Sequence, residues 1–196
     1  MQWYRRIGAW VISLVVVGLL VWQAVPVRGQ ETISAQFRIQ LNVLNRLLVG
    51  LRTDTSTLDQ DYTQLFASGT GANQANALYQ AQRTLGASAA ETLDLNASLT
   101  DDFGQSVTCT KLKALVVKAA AANTNNVLVG GGATTITTVW TATNDQIIVR
   151  PGGIFMLTAP DATGAALTAG ASDLLAVTNS AGSTSVTYDV IVVCAE

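Results

Sequence analysis

The sequence predicts a mainly β protein: an antiparallel β-sandwich or jelly-roll-like body preceded by a single N-terminal transmembrane helix. Three observations predict it. The stretch IGAWVISLVVVGLLVWQAVPV, Ile7 to Val27, carries no charge. From Glu91 onward, short aliphatic and β-branched runs alternate with turn signals at intervals of about ten residues, the spacing of sandwiches and jelly rolls. Charged residues make up 12% of the chain, against about 25% in ordinary globular domains. These features divide the chain into an anchor over 1–29, a connecting segment over 30–68 and a β body over 69–196.

As an α-helix, Ile7–Val27 covers roughly 30 Å, the thickness of a hydrocarbon core. The membrane-facing residues would include Trp10, Ile12, Leu14, Val16, Leu19, Leu20 and Trp22, with Trp3, Tyr4, Trp10 and Trp22 suited to the interfacial belts. Arg5 and Arg6 outweigh Arg28 across the stretch, which keeps the N-terminus cytoplasmic and places the body on the non-cytoplasmic side. A secretory signal cleaved near Gly29 is the competing reading, although the apolar run is long for one.

In TISAQFRIQLNV, Ile33, Ala35, Phe37, Ile39, Leu41 and Val43 alternate with polar residues, the period of a strand with one wet face. Phe37, Leu41, Leu44, Leu48 and Leu51 also fall at helical spacing, so residues 32–51 admit an amphipathic helix, with the unbroken alternation favouring the strand. The run RTDTSTLDQDYTQLFASGTGANQAN is then polar, with SGTGAN supplying the Gly, Ser and Asn of a loop. Within it, Asp54, Asp59 and Asp61 are calcium candidates, since calcium takes several hard oxygens. Their spacing matches no loop of defined ligand geometry, and a solvated turn is the simpler account.

The body begins with ETLDLNASL, which sets Leu93, Leu95, Ala97 and Leu99 on one face, followed by the TDDFG turn and the long run VTCTKLKALVVKA. NTNN is a turn, VLVGGG a short strand, and TTITTVWTA a further run carrying Ile136, Val139 and Trp140. QIIV, the hinge RPGG, IFMLTA, the PDATG turn, AALTA and DLLAVTN lead to TSVTYDVIVV, where Val186, Tyr188, Val190 and Val192 face one way. Some eight to ten strands result.

The composition excludes much chemistry. With no histidine in the chain, Ser-His-Asp and Cys-His constellations are ruled out, and neither a P-loop nor a nucleophile elbow is present. No enzyme activity, cofactor or metal is expected. Cys109 and Cys194, the sole cysteines, are either a disulfide or two buried thiols. Removing Arg5, Arg6 and Arg28 from the eleven basic residues leaves eight against thirteen acids, a balance of −5 beyond the anchor. That sign argues against nucleic acid as a partner.

Several turn-and-strand motifs carry a resemblance. GTGANQA, RTL, ETLDL, the LTDDFG turn, a Lys-containing strand ending in NTNNV, the RPGG hinge and APDATG, spread over Gly69 to Val193, are similar to those of bacteriophage virion structural proteins of the capsid-decoration or minor-capsid kind. The resemblance implies a non-enzymatic β-sandwich that packs among other capsid proteins as a homo-oligomer in the virion. Met1–Gly29 departs from that pattern. Joined to the resemblance, it implies a membrane-associated virion protein that grips a lipid bilayer. A membrane-anchored or secreted bacterial surface or filament protein, adhesive or pilin-like, is the alternative.

Overall fold

A computed structural model describes residues 32–49, 51–97, 99–132 and 135–196 of the chain. The expected transmembrane helix, from Trp10 to Trp22 and its flanks, lies outside these residues. Among the described residues, no helix is long and apolar enough to cross a membrane.

Every regular element described is a β-strand. Two sheets form the body. One runs β11 (Ile154–Thr158), β8 (Lys111–Ala119), β14 (Val186–Ala195) and β4 (Ala77–Leu85), with the short β12 (Ala165–Ala166) also on β8. The other runs β10 (Gln146–Val149), β9 (Val127–Gly130), β13 (Leu174–Asn179) and β5 (Ala90–Asp94). All of their pairings are antiparallel. Taken in chain order, the eight principal strands lie 1-8-3-6 in the first sheet and 2-7-4-5 in the second. That is the order of a jelly roll, two Greek keys folded onto one another.

The strands alternate because one face of each sheet is buried. On β14, Val186, Tyr188, Val190, Val192 and Cys194 point into the core together with Leu115 and Val117 of β8 and Val129, Leu175 and Val177 of the opposite sheet. RPGG is the corner between the sheets. The amide of Gly153 donates to Arg150 O at 2.7 Å, and Gly152 has φ +74°, as position three of a type II turn with proline at position two requires. Gly130 is needed for a different reason: an added Cβ would lie 2.5 Å from the indole nitrogen of buried Trp140.

Several expected elements change. ETLDLNASL is broken: β5 ends at Asp94, Ala97 is exposed, and Leu99 starts the two-residue β6 (Leu99–Thr100), paired with β7 (Ser106–Val107). Asp94 causes the break, since its carboxylate accepts the amides of Asn96 and Ala97 at 3.0 Å in an Asx-type turn. Within TTITTVWTA, Ile136 to Trp140 form a turn, with the amides of Val139 and Trp140 both donating to Ile136 O at 2.9 Å, while Ile136 and Trp140 remain core residues. NTNN is a turn as expected and carries a buried polar knot. Asn125 Nδ2 donates to Asn179 Oδ1 and Thr184 O, and Asn179 Nδ2 donates to Gly86 O and Thr184 O.

The largest difference lies before the body. β1 (Ala35–Val49) and β2 (Arg52–Ser68) form one long hairpin, in unbroken register from Ala35↔Phe66 to Val49↔Arg52. The strand reading of residues 32–51 therefore holds over the helical one. The polar run after it is a strand as far as Ser68, and the SGTGAN loop follows it. Its threonines and Tyr62 favour extended backbone, and it lacks apolar alternation because most of it buries nothing: every residue from Arg52 to Thr63 is exposed.

Candidate functional site

A two-stranded ribbon of 15 residues at about 3.4 Å per residue is about 50 Å long, and only its base rests on the body. Phe66 is buried with Ala75, Ala114 and Val193, and Ala35, Phe37, Leu78 and Ile191 pack around them. The body contributes side chains that alternate away from the main core, on the outer face of the β8–β14 sheet. Phe37 and Phe66 meet edge to face, with ring centroids 5.9 Å apart, a favourable aromatic geometry. After the ribbon, β2 pairs in parallel with β3 (Gln74–Ala75), which turns the chain back into β4.

A buried lysine secures this base. The β8–β14 register slips between Val193↔Ala114 and Cys194↔Leu112, leaving Lys113 as the extra residue of a bulge. Bulges re-aim side chains, and this one buries Lys113 completely. Its ammonium donates to Gly71 O at 3.2 Å and also to Asp161 O. Those carbonyls belong to the GTGAN loop and the APDATG turn, which a further bond from Asn73 N to Pro160 O at 2.7 Å ties together. Burial pushes the Lys113 ammonium below the ordinary lysine value, with the nearby charge of Lys111 acting the same way and Asp161 opposing. The Asp161 carboxylate accepts the amides of Gly164 and Thr163 at 2.9 and 2.8 Å, which hold it below the usual range. Both motifs prominent in the sequence thus serve the attachment of the arm.

Beyond the base, the two faces of the ribbon differ in chemistry. Residues opposite one another in an antiparallel pair share a face. One face carries Ile39, Leu41 and Val43 with Tyr62, Gln60 and Leu58, and Asp54 and Arg52 nearer its tip; the other carries Arg38, Gln40, Asn42 and Arg46 with Thr63, Asp61, Asp59 and Thr55, and the exposed Leu44 and Leu65 among them. Arg38 Nε donates to Asp61 Oδ1 at 3.0 Å with a second contact through Nη2. The Arg38 guanidinium holds the Asp61 carboxyl below the usual range. Between the arm and edge strand β11 lies a groove of about 450 Å³, lined by Phe37, Ile39, Tyr62, Gln64, Met156 and Thr158 among others.

The three aspartates singled out as calcium candidates are not assembled into a site. Asp54 lies on the ribbon face opposite to that of Asp59 and Asp61 and pairs with Arg52 at 3.0 Å, and Asp61 is taken by Arg38. No group of three His, Cys, Asp or Glu that could hold a metal occurs among the described residues. They lie on a strand, and strand geometry sends neighbouring odd and even positions to opposite sides.

Two further features of the body bear on its setting. Cys109 and Cys194 form a disulfide across a sequence separation of 85 residues, which settles the two alternatives for these thiols. At the other end of β14, Tyr188 donates to Glu91 Oε1 at 2.7 Å, and Arg83 Nε donates to Glu91 Oε2 at 2.6 Å. Burial alone would raise the Glu91 carboxyl, but these hydrogen bonds outweigh it and hold the group below its usual value. Burial, then the bond to Glu91, pushes the Tyr188 phenol well above its ordinary value. This cluster links the two sheets and is structural.

No protein-family model, curated protein or solved structure matches this chain.

Proposed function

We propose that this chain is a non-enzymatic virion structural protein: a minor capsid or decoration protein that anchors in a membrane through residues 7–27 and packs its β body in the shell beside other capsid proteins. The observation that carries this reading is a jelly-roll body bearing a long, bare ribbon arm. Jelly rolls also build lectin domains and cupins, so the strand order by itself assigns no activity. An arm that buries almost nothing within its own chain is an assembly element, and it gives the body a means of reaching neighbours. The low charge of the chain accords with surfaces covered by other subunits.

The disulfide favours a second reading as well. Disulfides persist in oxidising compartments and on virion or cell surfaces, which accords with a body on the non-cytoplasmic side in either a particle or an envelope. A membrane-anchored or secreted bacterial surface or filament protein shares that placement.

Intact-mass spectrometry and carbonate extraction of particles and of host envelopes distinguish the two. The virion reading expects the chain in purified particles, retaining Met1–Gly29 and remaining with lipid. A chain beginning near Gln30, released by carbonate and absent from particles, would establish the exported bacterial protein instead.

A further inference from the structure

We infer that the apolar face of the β1–β2 arm is the surface through which copies of this chain associate, each arm lying against the arm of a second copy. The inference rests on the homo-oligomer reading above and names the surface that builds it.

The apolar face is continuous. At its base the same face, through Ala35, Phe37 and Phe66, is covered by the chain's own body. One rung further on the cover stops, and the side chains of Ile39, Leu41, Val43, Leu58 and Tyr62 are exposed by 43% at Val43 to 62% at Tyr62. A two-stranded ribbon by itself is marginal in water, and a third strand or a packed layer is what stabilises one. Of the devices that normally blunt an edge, the arm lacks a bulge, a proline and a lysine and carries only its arginines and aspartates.

Charge selects the occupant. The arm has Arg38, Arg46 and Arg52 against Asp54, Asp59 and Asp61, a balance of zero, and none of these lies on the apolar face between Ala35 and Val43. A lipid surface would call for an excess of basic residues around the apolar stripe. An oppositely charged protein would find nothing to complement. An identical arm meets an uncharged face with an uncharged face, and the outward arginines and aspartates of two copies are free to pair. The exposed apolar stretch, from Ile39 to Val43 with Leu58 and Tyr62 opposite, is about 17 Å long and about 10 Å wide, roughly 170 Å² of ribbon face. That is well below the roughly 800 Å² per partner of a standard interface, so the edge of β1 supplies the larger share of the contact.

The test uses the full chain in mild detergent, with mass read by sedimentation and contacts by cross-linking. Leu41→Asp, on the apolar face, should reduce the oligomer to a single copy, while Asn42→Asp, one residue away on the polar face, should leave it intact. A bis-maleimide should join Leu41→Cys chains into covalent dimers and should not join Asn42→Cys chains. An oligomer that survives Leu41→Asp, without cross-linking at position 41, would overturn the inference and leave the homo-oligomer to another surface. A wild-type chain that sediments as one copy would remove both. Shielding of Leu41→Cys within single copies would assign the face to the chain's own N-terminal segment and equally overturn the inference.

Discussion

The body and the arm are made of the same kind of strand and solve opposite problems. In the body, each strand has a partner on both sides or a sheet packed over it, and Tyr188, Val190 and Val192 reach complete burial. In the arm, strands longer than any in the body hold only each other beyond the base, where Ile39, Leu41, Val43, Leu58 and Tyr62 are exposed. Strand pairing alone therefore does not account for stability here; burial does, and the arm's share of burial stops at its base. The body is held by its own burial, whereas the arm beyond its base is not, which is what the proposed contact with a second copy would supply.

Breaking the body should have the largest effect. Tyr188→Asp or Val190→Asp places an unpaired charge in the core, and Tyr188→Asp also sets a carboxylate against Glu91. A loss exceeding about 4 kcal/mol is expected, read as the absence of folded soluble protein when the body is expressed. Normal folding of either variant would mean that β14 is not central.

The disulfide comes next. Replacing both cysteines, Cys109→Ala with Cys194→Ala, frees a loop spanning 85 residues, and the chain-entropy estimate for such a loop is about 4 kcal/mol. Thermal unfolding should show a Tm lower by roughly 10 °C, with the jelly-roll strands still formed below the transition.

The junction between arm and body is the more telling target. Lys113→Met keeps the volume but removes the donor shared by Gly71 O and Asp161 O, leaving part-buried acceptors without it at a cost of about 1 kcal/mol. Protease sensitivity should then rise at 69–74 and 161–164, ahead of any change in the core. Equal loosening everywhere would show that Lys113 supports the body and not the arm.

The smallest effect is a pH dependence confined to the body. Glu91 is held below its usual value, so its contribution is complete above about pH 4.3, the unfolded carboxyl value, and is lost as pH falls through the folded one. Glu91→Gln should flatten that acid limb in urea titrations between about pH 5 and pH 2. The arm, whose Arg38–Asp61 pair is exposed, should show no comparable limb.

The body was the more legible region for the same reason it is the more stable. Burial imposes alternation, and the runs at Val186–Val192, Leu174–Asn179 and Lys111–Ala119 display it. The arm shows where that signal fails. β1 alternates because it has an apolar face, but β2 is polar through Thr53, Thr55, Thr57, Asp59 and Asp61, and its sequence shows no strand because no burial marks it. β4 left no assignment either, since Arg83 and the small Ala77 and Ala81 interrupt its apolar face. Lys113 gave no sign of its role. Its placement depends on a bulge between strands distant in sequence, which spacing along one strand does not reveal. The aspartates of β2 were weak calcium candidates for a related reason: proximity in sequence suggests a ligand cluster in a loop, whereas on this strand Asp54 faces away from Asp59 and Asp61.

Amide hydrogen exchange on the full chain, read by mass spectrometry above and below the concentration at which it associates, tests the division between body and arm most directly. The body strands should be protected at both concentrations, and the amides of 36–48 and 53–65 only when copies are together. Protection of the arm at every dilution, or exchange within seconds even in the assembled form, would contradict an arm that is completed by a second copy.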